Sequence, residues 1–238
     1  EFEQKKGTYN EEGWNKRTNI SCPVCNNITD SKTLKKQFRE KKTKERMLAV
    51  IEHGPNSKEY RLPNKSEIDI IRAIPKIDRT LFKSQMQIGN NRNFNSPGWG
   101  IDDFVDMFSD RQFFTLKNLV DQIEKIKEGY SLSSDYSNAV HTYLGLFIDK
   151  IASATTSFGR WNVGGEKIET PFSKQAIPMM FDYPEGYIFS GVTGSANNQL
   201  EWIIRYIESE SNTTFSTVLQ NAYSGEKNQF EEKNLTAV

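Results

Sequence analysis

Cys22 and Cys25 stand three apart in the run Cys22-Pro23-Val24-Cys25-Asn26-Asn27. A proline between two thiols, with turn residues after them, is the shape of a zinc knuckle. The turn brings both thiolates to one ion, and the amides that follow can point at the sulfurs. Structural zinc takes four ligands. Beyond these cysteines the chain offers two histidines, His53 and His141. His53 precedes Gly54-Pro55 and can reach the knuckle. His141 falls beside an apolar helical stripe and reads as a core or rim residue. Cys22 and Cys25 are therefore candidate metal ligands forming half a site. Two buried free thiols are the plainer alternative.

Directly after the knuckle the charge changes. Residues 31–50 hold eight basic residues (Lys32, Lys35, Lys36, Arg39, Lys41, Lys42, Lys44 and Arg46) against Glu40 and Glu45. The chain as a whole is neutral, and residues 121–238 hold nine basic and fifteen acidic residues. A polyanion feels the local excess, not the pI. Ser31 or Thr33 can cap a helix that runs to about residue 44–46, anchored by Leu34 and Phe38 four apart. Lys35, Arg39 and Lys42 then project together, with Lys36 and Lys44 partly outside that stripe. These five are the candidates for phosphate contact. A solvated helical face is the competing reading. No base-reading motif accompanies them. Arg160-Trp161 is a second candidate, since Arg can hold phosphate and Trp can stack a base. A buried cation–π pair is its alternative.

Several catalytic signatures are absent from the sequence: a Walker loop, GxGxxG, HExxH and GxSxG. Ser96-Pro97-Gly98-Trp99 glances at the Asp/Asn-Pro-Pro-Tyr motif of amino-methyltransferases. It lacks the second proline, and Ser lacks the amide or carboxylate acceptor, so the likeness is set aside. Glu166, Glu169, Asp182 and Glu185 lie among aromatic residues and read as surface pairs.

The elements that must position these residues follow from periodicity. Met47–Ile51 is strand-like, closed by Gly54-Pro55-Asn56-Ser57, with Tyr60-Arg61-Leu62 as its hairpin partner. Pro63 to Glu67 opens a helix with Ile68, Ile71 and Ile74 on one face, ended by Pro75. Residues 76–100, rich in Asn and Gly, form a long irregular loop. Ile101 to Phe108 makes a short helix, and Asp110 caps the next. Phe113, Leu116, Val120, Ile123 and Ile126 trace one face of it. Val140, Tyr143, Leu144, Phe147, Ile148 and Ile151 trace that of another helix, and a short link makes the two an antiparallel pair. Residues 158–199 combine glycines with aromatic residues and should pack onto the helices. A helix at 199–208 and two strands, Phe215–Leu219 and Leu235–Val238, close the chain. A final strand with no turn after it suggests a chain cut from something longer.

Composition bounds the class. Of 238 residues, 36% are hydrophobic and 26% charged, and the mean hydropathy is −0.68. No run approaches the ~20 apolar residues that span a bilayer. The start, Glu1 to Lys6, reads as no signal peptide. Two cysteines cannot staple a secreted scaffold of this length. Five Asn-x-Ser/Thr sequons (Asn19, Asn27, Asn64, Asn212, Asn234) are taken as chance in an Asn-rich chain. A cytoplasmic protein without a membrane partner is expected.

One succession of residues goes further. Cys22-Pro23-Val24-Cys25 and the basic helix are followed by Tyr60-Arg61-Leu62-Pro63, Gly159-Arg160-Trp161, Glu166-Lys167-Ile168 and Phe172. Then come Gln175-Ala176-Ile177-Pro178-Met179-Met180-Phe181-Asp182-Tyr183 and Leu200-Glu201-Trp202-Ile203. In order and spacing this resembles the large prokaryotic adenine-specific DNA methylases that carry a zinc ribbon, from about Cys22 to Val238. Tyr183-Pro184-Glu185-Gly186 departs from that family's Tyr-Ala-Glu-x-Asn-Pro-Phe pattern, which leaves Glu185 without an inherited role.

The resemblance implies an insertion between an upstream SAM-binding motif and a downstream Asp-Pro-Pro-Tyr motif, with a second cysteine pair before Glu1. The expected function is then a non-catalytic DNA-binding or target-recognition segment of a SAM-dependent adenine-N6 DNA methyltransferase. SAM and zinc belong to the parent enzyme, and the partners are DNA, the rest of the methyltransferase and other subunits of a restriction-modification system. The competing class is a helical protein–protein interaction domain of a multi-subunit DNA modification or defence complex. The expected fold is α+β, mostly α. It comprises a partial zinc-ribbon and basic-helix region with a short hairpin (1–75), an irregular linker loop (76–100), and a helical domain ending in strands of the methyltransferase core (101–238).

Overall fold

The computed structural model describes residues 15–16, 19–22, 24–55, 57–89, 92–129, 134–173, 175–191, 194–210, 214–215 and 235–236. The polar lead-in up to residue 14, and residues 216–219 and 237–238 of the expected closing strands, lie outside them. The described chain is mixed α+β and mostly α.

β1 (Asn15–Lys16), β2 (Asn19–Ser21) and β3 (Ile28–Thr29) form a small antiparallel sheet, and the cysteine turn joins β2 to β3. α1 (Ser31–Arg39) follows at once. Its cap is Asp30, not Ser31 or Thr33: the Asp30 carboxylate accepts the Thr33 amide at 2.7 Å. A carboxylate there also complements the positive end of the helix.

α1 stops at Arg39, several residues before the expected end. The Lys41 amide donates to the Phe38 carbonyl and the Lys42 amide to the Gln37 carbonyl, while Lys41 sits at φ 52°. This is a Schellman stop with lysine where glycine is usual. Residues 40–49 then continue as an arm without regular structure, almost all of it exposed.

β4 (Val50–His53) and β5 (Lys58–Arg61) pair as a hairpin. α2 (Lys65–Ala73) opens on a capping box in which Asn64 and Glu67 bond each other's amides. Arg61 clamps the hairpin to this cap through Glu52 and Glu67, each at 2.6 Å. Arg61, then the Asn64 amide, holds the Glu67 carboxyl down to about 2.

The described residues of 76–100 are irregular apart from the 3-10 turns Thr80–Phe82 and Ser96–Trp99 and single bridges from Gln85 to Asp103 and from Phe94 to Ile177. Met86, Ser96, Pro97 and Trp99 are buried all the same, while residues 81–85 and 87–89 are exposed. The expected helix at 101–108 is a 3-10 turn at Phe104–Met107. Met86 and Met107 join Phe158 and Ile177 in one core cluster, flanked by Phe94, Ile101 and Phe104.

α3 (Asp110–Gly129) is capped by Ser109, not Asp110. Ser109 and the buried Gln112 form a reciprocal pair, amide to side chain in both directions, at 2.9 and 3.3 Å. The stripe on α3 meets α4 (Ser134–Ala154) in a second cluster. Leu116 and Leu119, early in α3, lie with Phe147, Ile148 and Ile151, late in α4. The two helices therefore run antiparallel. The Met107 carbonyl beside the start of α3 accepts from Thr156 and Ser157 beyond the end of α4.

β6 (Arg160–Asn162) and β7 (Lys167–Glu169) form another hairpin. α5 (Ala196–Glu210) packs on α4, and Ser195 supplies its first contacts. β8 (Thr214–Phe215) pairs antiparallel with β9 (Leu235–Thr236). Among the described residues no helix is long and apolar enough to cross a membrane.

Candidate functional site

α1 is seated by three aromatic rings. Phe38 meets Trp99 edge-on at 5.5 Å and Phe181 at 5.7 Å, and Trp99 meets Phe181 at 4.9 Å. Edge-to-face contacts of this kind fix orientation as well as burying surface. Leu34, the one buried residue of α1, lies one turn earlier.

Seating this face turns another outward. Lys32, Lys35, Lys36 and Arg39 stand at i, i+3, i+4 and i+7, one stripe of a helix. With Ser31, Glu40 and Gly98 they line a concavity of about 570 Å³. Four cations thus face one carboxylate. The Lys35 ammonium lies 5.3 Å from the Trp99 ring centroid, and the Arg39 guanidinium donates to the Pro97 carbonyl at 3.4 Å. Lys36 and Lys42 approach Glu40 at 3.8 and 2.6 Å. Lys42 is the main cause of the lowered Glu40 pKa. Exposed pairs like these are weak and exchange readily for another anion.

The structure brings Lys35, Lys36 and Arg39 together, and adds Lys32. Lys42 and Lys44 lie on the arm, outside the lining. A Lys35–Arg39–Lys42 stripe needs helix through residue 42, which the Schellman stop removes. Sequence reasoning passed over Lys32, although the i, i+3, i+4, i+7 pattern was present. It had no signal for Gly98, whose place in the wall comes from tertiary packing. The Ser96-Pro97-Gly98-Trp99 segment is the seat of α1.

Arg160 and Trp161 separate. Arg160 is exposed and ion-paired to Glu169, and lowers its pKa together with Asn162. Trp161 is half-buried, and the cation on its ring is Lys58, 5.4 Å from the centroid, rather than Arg160. Lys58 also donates to the Glu166 carbonyl, and the Tyr60 hydroxyl to the Glu166 carboxylate at 2.9 Å. Successive strand residues point to opposite faces. Trp161 thus packs the two hairpins together while Arg160 stays outside.

The cysteine turn is tight. The Asn26 amide donates to the Cys22 carbonyl and the Cys22 amide to the Asn27 carbonyl, both at 2.9 Å, with Asn26 at φ 57°. The amides of Cys25 and Val24, and then the Cys25 thiol, bond the Cys22 sulfur and lower its pKa. Both cysteines are free, Cys22 partly covered and Cys25 exposed. Two thiols on such a turn fit one half of a tetrahedral zinc set. Among the described residues no group of three or more His, Cys, Asp and Glu could hold an ion. His141 is half-buried on α4, its Nδ1 2.5 Å from the Ser137 carbonyl.

No family model matches the chain, no curated protein matches it, and no solved structure matches it.

Proposed function

We propose that this chain is a non-catalytic DNA-binding or target-recognition segment of a SAM-dependent adenine-N6 DNA methyltransferase. One observation carries the DNA part: Lys32, Lys35, Lys36 and Arg39 converge on a single concavity, with Glu40 as the one carboxylate among the described residues that line it. Spaced cations on a rigid helix suit a chain of phosphates, whose neutralisation releases condensed counterions. Such contacts position a protein without reading bases. The methylase part rests on the succession of motifs from Cys22 to Ile203. In the parent, the target adenine would be flipped against a catalytic motif with SAM alongside. Zinc would be held there by Cys22 and Cys25 with a second thiol pair.

An apolar groove supports a second reading, a helical interaction domain of a multi-subunit DNA modification or defence complex. Tyr143 and Leu146 of α4 face Trp202, Ile203 and Tyr206 of α5 across about 380 Å³, and Trp202 is 62% exposed. Titration of a labelled duplex at about 50 and 200 mM salt separates the two. The first reading requires binding with a steep salt slope, and absence of binding at low salt supports the second.

A further inference from the structure

Arg111, in the first turn of α3, reaches out of the helical body to the basic arm. Its Nη1 donates to the Glu45 carboxylate at 3.2 Å and its Nη2 to the Tyr183 hydroxyl at 3.1 Å. The same Nη2 meets Glu185 at 3.0 Å, with Nε at 3.2 Å. The Tyr183 hydroxyl in turn donates to Glu45 at 2.8 Å, closing a ring of three side chains. Burial first, and then Glu45, pushes the Tyr183 pKa well above its ordinary value, so the hydroxyl keeps the proton it donates. Arg111 is only 20% exposed, and two carboxylates offset its burial.

The segment carrying Tyr183 also seats α1. Phe181 packs on Phe38 and Trp99, Tyr183 bonds Glu45, and Glu185 bonds Arg111. All three contacts come from the five residues 181–185. One short stretch thus grips the chain at Phe38 and again at Glu45. Lys41, Lys42 and Lys44 lie between these two grips.

We propose that Glu45, Tyr183 and Arg111 form a latch that holds the arm of residues 40–46 beside α1, in the register where its lysines reach successive phosphates. The proposal rests on the DNA reading. Glu45 is a positioning residue: it carries the wrong charge for DNA and acts through its neighbours. Without the latch the lysines keep their charge, but DNA must order the arm as it binds, at a cost in affinity.

Glu45→Ala and Tyr183→Phe, with Glu124→Ala as a charge-matched control outside the cluster, test this in the full chain. Arg111 keeps Glu185 in both latch variants, and circular dichroism checks that they fold. Trypsin cleavage at Lys41, Lys42, Lys44 and Arg46, followed by mass spectrometry, reads the latch without DNA. It should speed up severalfold in Glu45→Ala and Tyr183→Phe, but not in Glu124→Ala. Duplex affinity at about 50 mM salt should fall roughly threefold to tenfold in both latch variants. Glu45→Ala removes a negative charge, so a purely electrostatic account requires tighter binding instead. Unchanged cleavage, or affinity equal to or above wild type, overturns the proposal. If the wild-type chain ignores DNA, the reading of the function fails instead, and the cleavage rates alone decide the latch.

Discussion

Gly100 lies against the backbone of Arg39: a Cβ on Gly100 would come within 2.8 Å of the Arg39 Cα. Gly100 also has φ +82°, where a side chain is strained whatever the space. The turn that ends in Gly100 therefore sets how closely α1 approaches the core.

Gly100→Ala should push α1 off its seat. Strain and overlap with backbone together should cost about 2 kcal/mol. Duplex affinity should fall with it, since the cations move relative to Gly98. Thermal denaturation and a DNA titration on the same variant check both effects. Wild-type stability would contradict the described seat.

Lys41→Gly should act in the opposite direction on stability. Glycine adopts the left-handed conformation of Lys41 without a Cβ penalty, worth about 1 kcal/mol. In a chain of this size that raises the melting temperature by about 2–4 °C. Calorimetry distinguishes this from a destabilised variant, which would show that the helix runs on past Arg39.

These two positions also show what a sequence can and cannot reveal. The stripes from Phe113 to Ile123 and from Val140 to Ile151 were legible because burial repeats with the helical period, whereas Ile126, expected on the first, is exposed. The capping box at Asn64 and Glu67 lay within the Pro63–Glu67 helix start read from the sequence. The end of α1 was hidden, because Lys41 in a glycine conformation leaves no local signature. The caps at Asp30 and Ser109 were each misplaced by one to three residues, in runs where several neighbours could cap. The role of Trp99 was invisible: its partners Phe38 and Phe181 are far apart in sequence and meet only in the fold. For the same reason the aromatic residues of 158–199 divide, with Phe158 buried and Tyr187 and Phe189 exposed.

Acid should loosen the clamp between the β4–β5 hairpin and α2. The Glu67 pKa is depressed in the fold from 4.5 to about 2, by Arg61 and then the Asn64 amide. A depressed carboxylate stabilises the fold fully above its unfolded pKa, and that contribution is lost as pH falls through the folded value. Wild type should therefore exceed Glu67→Gln in melting temperature above pH 4.5, and the gap should close as pH approaches 2. A gap that is independent of pH across that window would show that the Arg61–Glu67 pair adds nothing to the cap.

Cys22 and Cys25 share one tight turn, and two thiols supply only half of the four ligands a structural zinc takes. The chain should therefore hold zinc weakly, and should lose it to a chelator without a change in melting temperature. Metal analysis after dialysis checks this. Stoichiometric retained zinc would mean that further ligands come from residues outside those described or from a second chain.

On the proposed reading the stripe on α1 meets phosphates. The direct measurement is the salt dependence of duplex binding for Lys32→Gln/Lys35→Gln/Lys36→Gln beside Lys42→Gln/Lys44→Gln. Each phosphate that is no longer neutralised should flatten the slope of log K against log salt by about 0.9. In the triple variant the slope should therefore be shallower by about 2–3. Binding should weaken for all duplex sequences alike, because phosphate contacts carry no base readout. The double variant should change less. A triple variant that binds duplex with wild-type affinity and slope would contradict the account and leave α1 a solvated face.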